Sequence, residues 1–211
     1  HTYGGGGNLF LGTGAGTLTL SGVGHNCGIG YGALASLANS NGYNTALGSY
    51  SLNGVTSGSG NMGIGYGAGG GANCSNNTAI GYQSLNNTSG GSNTAIGFNT
   101  GQLTGTIGGL SALAITTGTN NTTIGASAGI TSAAGTYRTA IGSDSRCESN
   151  NAIKLGRDTL DVVLLPKMTE AQLATAATTL GAVKGAIAYC TDGAQADHVF
   201  FYNGSVWAKI N

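Results

Sequence analysis

Asp144, Glu148, Asp158 and Asp161 are the residues in this chain with a type and spacing suited to chemistry. Paired carboxylates are the tools of glycoside hydrolysis, one as acid and one as base or nucleophile. No acidic residue precedes Asp144, so this set could act only beyond most of the chain. Ordinary solvated charge is the expected role, and the chain is not expected to be an enzyme. Cys27, Cys74, Cys147 and Cys190 lack the close spacing of a zinc or redox motif, so scattered free thiols are expected. Gly4 to Gly7 are not followed by the Lys of a phosphate loop. Neither cofactor nor metal is expected.

The elements that would carry these residues are set by a recurrence. Asn77-Thr78-Ala79-Ile80-Gly81 returns as Asn93-Thr94-Ala95-Ile96-Gly97, with looser copies beginning at Asn8, Asn26, Asn44, Asn61, Asn121 and Arg138. The Ile/Leu anchors Leu11, Ile29, Leu47, Ile64, Ile80, Ile96, Ile124 and Ile141 are spaced 18, 18, 17, 16, 16, 28 and 17 residues apart. A fixed period means one structural unit stacked many times. About 17 residues is too short for helical hairpins and suits one coil of a β-solenoid. The 28-residue gap carries an insertion around Gly105 to Leu110, expected to be a loop on one face. The pattern points toward a rod, spike or adhesive surface.

Charge is placed unevenly. The chain has 7 basic and 7 acidic residues, yet Arg138 is the first of them. A soluble monomer ordinarily carries surface charge. A long uncharged stretch suggests surfaces that meet other chains, or that are kept soluble by amides and hydroxyls. It also lacks the basic footprint of nucleic-acid binding. No run of about 18 apolar residues is present, so no membrane insertion is expected. A first residue of His rather than Met suggests a piece of something longer.

Within one repeat, Thr78 and Ile80 share a face and Ala79 points the other way. The expectation is that the Ile series stacks inward as the core, with the Thr/Cys/Met position (Thr78, Cys27, Met62) half-buried beside it. Ala46, Ala79, Ala95 and Ala140 would then line the opposite face, small enough for another subunit's backbone to approach. A second pattern follows each Gly, as in Tyr82-Gln83-Ser84-Leu85 and Tyr31-Gly32-Ala33-Leu34. Two short strands per coil, joined by Gly/Asn/Ser turns, are therefore expected. The Asn opening each repeat would cap a turn or form a ladder with the coils above and below.

The fold expected is all-β: a parallel β-solenoid or β-prism shaft over 1–157, a connector over 158–184, and a small β-meander tip over 185–211. Pro166 marks the boundary, and Thr169-Glu170-Ala171-Gln172 resembles a capping box opening a short helix that ends near Gly181. Turns at Asp192-Gly193 and Asn203-Gly204 separate Ile187–Tyr189, Val199–Tyr202 and Val206–Ile210. In the tip, Tyr189, His198, Tyr202 and Trp207 could form a sugar-stacking surface, against the plainer reading that they are its core.

The Asn-Thr-Ala-Ile-Gly-Tyr repeats resemble those of bacteriophage tail and capsid fibres, and are similar to the head repeats of trimeric autotransporter adhesins. The segments Leu165-Pro166-Lys167-Met168-Thr169-Glu170-Ala171-Gln172-Leu173, Gly185-Ala186-Ile187-Ala188-Tyr189 and Tyr202-Asn203-Gly204-Ser205-Val206-Trp207 resemble a C-terminal segment of virus fibres, above all those of tailed phages. The resemblance implies a parallel homotrimer on the virion surface, joined to other virion proteins, with its C-terminal end distal. It also implies attachment to a host cell-surface glycan or protein. The alternative is a bacterial cell-surface trimeric adhesin, which would need a membrane anchor. An ice-binding solenoid is disfavoured here, because Thr is placed inward and no Thr-x-Thr array recurs.

Overall fold

The computed structural model describes residues 7–16, 24–38, 42–71, 73–86, 88–101, 106–107, 110–111, 115–157, 167–169, 187–190, 198–202 and 205–210. Among these residues the chain is all-β. It divides into two compact units, His1–Asp161 and Val162–Asn211.

The first unit is a parallel β-solenoid. Its nine-stranded sheet runs β1 (Leu9–Leu11), β2 (Cys27–Ile29), β3 (Thr45–Leu47), β4 (Met62–Ile64), β5 (Thr78–Ile80), β6 (Thr94–Ile96), β9 (Thr122–Ile124), β11 (Arg138–Ile141) and β13 (Ala152–Leu155). Each pairs in parallel with the equivalent residues of the next coil, as in Thr78↔Thr94, Ala79↔Ala95 and Ile80↔Ile96. The 28-residue step does not break the register, since Thr94 pairs Thr122. Inside that step, β7 (Thr106–Ile107) and β8 (Leu110–Ser111) form an antiparallel pair. A second strand per coil, expected throughout, is seen only as β10 (Gly129–Ile130) against β12 (Arg146–Cys147) among the described residues. Elsewhere the return path is a run of turns, because its residues at the second and fourth positions after the repeat Gly take positive φ.

The two faces of the sheet are the reverse of the sequence expectation. Ala46, Ala79, Ala95 and Ala140 are buried inside the coil, at 0–1 % exposure, whereas Leu11 is 58 % exposed and Leu47, Ile96, Ile141 and Leu155 also face out. The alanines therefore line the interior of this chain and are not a surface for a neighbouring subunit. The Thr/Cys/Met position also faces outward, with Met62 exposed and Cys27 half-buried. Volume explains the inversion. Leu34, Leu52, Leu85, Ile115 and Ile130 come from the opposite wall and already fill the narrow interior. A Cβ added to Gly63, in the inner position of β4, would sit 2.5 Å from Ser51 Oγ and 2.8 Å from Leu52 Cγ. That coil admits only Gly; the inner position is Ala or Gly in the other strands, apart from Phe10 in β1, Thr123 in β9 and Lys154 in β13, the last of these in the final strand.

A buried asparagine ladder runs beside the alanines. Asn44 Nδ2 donates to Asn26 Oδ1 (3.0 Å), and Asn61 Nδ2 donates to Asn44 Oδ1 (3.0 Å). The same Oδ1 atoms accept the next backbone N–H, and the second amide hydrogen goes to a coil carbonyl, Gly58 O for Asn44 and Cys74 O for Asn61. Arg138 takes the Asn position in β11 and ends the ladder. Its N–H donates to Asn121 Oδ1 (3.1 Å), while its buried guanidinium donates to Asn150 Oδ1 (2.7 Å) and Cys147 O (3.2 Å).

In the second unit, β14 (Lys167–Met168), β15 (Ile187–Cys190), β16 (His198–Tyr202) and β17 (Trp207–Lys209) form one sheet in that order. The three later strands are antiparallel, and β14, which the sequence reading did not foresee, joins β15 in parallel. The helix expected over 169–181 and the turns at 192–193 and 203–204 lie outside the described residues, apart from Thr169.

Candidate functional site

Uncharged up to Tyr137, the solenoid surface offers aromatics and amides there. Tyr31, Tyr66, Tyr82 and Phe98 follow the repeat Gly directly and form an exposed column. Ser49 occupies that position in the coil of β3, and Tyr50, one residue later, covers the gap. Tyr66, Tyr82 and Phe98 are stacked at 5.3 Å between centroids, with planes 13° and 14° apart. Tyr50 is turned across the column, at 77° to Tyr31 and 80° to Tyr66. Since Tyr66 directs its face along the ladder toward Tyr82, Tyr50 meets it edge-on and keeps its own face clear of the stack. A hydrogen bond to Tyr31, the largest cause, holds the Tyr50 hydroxyl above the usual tyrosine range.

Beside Tyr50 lies an open cavity of about 540 Å³. It exists because the next coil reads Tyr66-Gly67-Ala68-Gly69-Gly70-Gly71, and Gly67 and Gly70 present no side chain. Tyr50 and Asn53 of the preceding coil and Gln83 and Asn86 of the following one wall it. A Cβ on Gly70 would lie 3.1 Å from Asn86 Oδ1 and 3.3 Å from Asn53 Oδ1, so both amide oxygens converge over that glycine. On Gly67 it would lie 3.5 Å from Gln83 Cγ and 3.6 Å from Asn86 Nδ2. The Tyr/Phe recurrence is visible in the sequence, but it does not by itself mark a cavity. The signal for the cavity was the Gly-rich coil 65–71 between two coils bearing Asn at the same position.

The second unit separates the four aromatic and His candidates. Pairing across the sheet puts His198, Tyr202 and Trp207 on the face of Ala188, Cys190 and Phe200, and Tyr189 on the other. Tyr202 is buried, and Trp207 packs on the Ala188–Cys190–Phe200 cluster with its ring 5.4 Å from that of Tyr202. The set is thus not one surface; Tyr202 and Trp207 belong to the small core. The opposite face leaves Ile187 and its partner Phe201 exposed.

Of the carboxylates, Glu148 lies at a cavity of about 240 Å³ together with Arg146 and Lys154, its lining containing no other acid. Asp144 lies near the Arg146 guanidinium, whose pKa is lowered by burial and raised by that charge. Asp158 and Asp161 are outside the described residues. Among the described residues no three His, Cys, Asp or Glu side chains group to hold a metal, and no helix is long and apolar enough to cross a membrane.

In class the chain is a β-solenoid repeat protein. No protein-family model, curated protein or solved structure matches it.

Proposed function

We propose that the protein is the repeat shaft and C-terminal tip of a virion fibre or spike, a tail or capsid fibre of a virus and most simply of a tailed phage. In this reading it assembles as a parallel homotrimer, joins other virion proteins and attaches to a host cell-surface glycan or protein. The carrying observation is the outward apolar column of the nine-stranded sheet, from Leu11 through Leu47 and Ile96 to Leu155. A continuous exposed apolar face of this kind marks an interaction surface, and a parallel assembly about a threefold axis buries the same column from each chain. The absence of charge from His1 to Tyr137 supports close packing between copies. The resemblance of the repeats and of the C-terminal segment to phage fibres supplies the setting. No catalytic role is proposed. Light scattering on the native protein tests the reading: three times the chain mass is expected, and a monodisperse monomer at micromolar concentration rejects it.

The same face favours one second reading. Thr45, Thr78, Thr94, Thr122 and Thr139 are in register on its outer side, which removes one of the two grounds against an ice-binding solenoid, the inward Thr, and leaves the other, the missing Thr-x-Thr array. The partner column is Ile/Leu rather than a second Thr. Thermal hysteresis measured on the same sample decides it, and none is expected.

A further inference from the structure

We infer that the cavity over Gly67 and Gly70 is a binding notch for one pyranose unit of a neutral glycan. Pockets for small ligands occupy roughly 300–1,000 Å³ and combine a stacking surface with a few convergent polar groups. At about 540 Å³ this one falls within that range. A pyranose has an apolar C–H face and a rim of hydroxyls. Tyr50 supplies a ring face free of the ladder. Asn53 and Asn86 supply acceptors over Gly70, and Asn86 Nδ2 supplies a donor beside Gly67, where the Gln83 side chain also lines the wall. None of these three amides is engaged in a side-chain hydrogen bond among the described residues, so they remain available. This contrasts with the ladder asparagines, whose amides are spent internally. Charge excludes the other common ligands: no Asp, Glu, Lys or Arg occurs from His1 to Tyr137. A phosphate, sialate or cationic peptide would find no counter-charge, whereas a neutral polyol needs none.

Flanking rings extend the notch along the shaft. Tyr66, Tyr82 and Phe98 continue the exposed column at 5.3 Å intervals, close to the length of one sugar in a linear chain; their faces are turned to one another, so they offer ring edges and the two tyrosine hydroxyls rather than stacking faces. A polymer would thus be held better than a single sugar. The inference rests on the attachment reading only for the source of the glycan, a host surface; the notch itself belongs to one chain.

The test is titration calorimetry on the full chain with cellohexaose, maltohexaose and xylohexaose and their monosaccharides, together with a printed array of neutral and acidic glycans. A neutral hexasaccharide is expected to bind, and more tightly than its monosaccharide. Tyr50→Ala and Asn86→Ala should each weaken it about tenfold, and Gly70→Leu should abolish it by filling the notch. Trp207→Ala should leave it unchanged. Native mass and melting temperature are read for each variant, and Asn53→Ala replaces any variant that fails to fold. Binding confined to acidic glycans, binding lost only in Trp207→Ala, or no binding by a folded protein overturns the notch. Binding by a protein that proves monomeric sustains the notch and rejects the trimeric fibre.

Discussion

Gly81 shows how tightly single residues are constrained. Its φ is +126°, and a Cβ there would sit 2.2 Å from the carbonyl oxygen of Gly97 in the next coil. Backbone conformation and space both reject a side chain. Gly81→Ala should cost about 3–5 kcal/mol, read as a fall in the denaturation midpoint. Asn77 is fixed by different means. Its Oδ1 accepts the Asn93 N–H (2.8 Å) and its Nδ2 donates to Gly90 O (2.9 Å). Asn77→Ala strands both groups in the interior and should cost about 2–4 kcal/mol by the same measurement. The four thiols divide by location. Cys74, Cys147 and Cys190 are buried and should react slowly with a thiol reagent in the native protein. Cys27 lies on the outer strand face, so it should react in a lone chain and be shielded in a trimer. Burial raises the Cys74 pKa. The folded chain therefore holds that proton more tightly than the unfolded one, whose thiol titrates near about 8.5. The corresponding stability is fully present below that range and is lost as pH climbs through the raised folded value.

At the scale of one strand, period-2 alternation leaves a choice of parity. The pattern Thr78-Ala79-Ile80 can bury either Ala or the Thr/Ile pair, and hydrophobicity alone favours the larger residues. The structure chooses Ala because the interior is already occupied by Leu34, Leu52 and Leu85 from the facing wall. Substitution should expose the parity. Ala79→Leu overpacks the interior and should destabilise the fold by about 1–3 kcal/mol or more, whereas Ile80→Ser should leave the melting of a single chain nearly unchanged. Much of the architecture was legible beforehand. The anchors gave the coils, and a ladder was one of the two roles expected of the Asn that opens each repeat. Had that ladder been taken as buried, alternation would have placed Asn77 and Ala79 on one inner face and the parity would have followed. The aromatic notch was less legible, since it depends on Gly67 and Gly70 being absent volume between two neighbouring coils.

For the whole assembly, the outer column is where subunits would meet. Ile96→Asp with Leu47→Asp introduces charge on that face without touching the interior. If the protein is a trimer closed by this surface, light scattering should find the double variant dissociated, its circular dichroism retained. An unchanged mass would place the contact elsewhere.

The ladder and the three strand residues of each coil keep their register across steps of 16, 17, 18 and even 28 residues. What lies between them is therefore free to vary in length, and the coil becomes a removable part. Excising residues 65–80 would join Ile64 to Gly81 and let Asn93 follow Asn61 as the next rung. A shaft shortened by one step would result, still melting as a unit, and an evolving lineage could change its reach by copying or dropping such cassettes without redesigning either end.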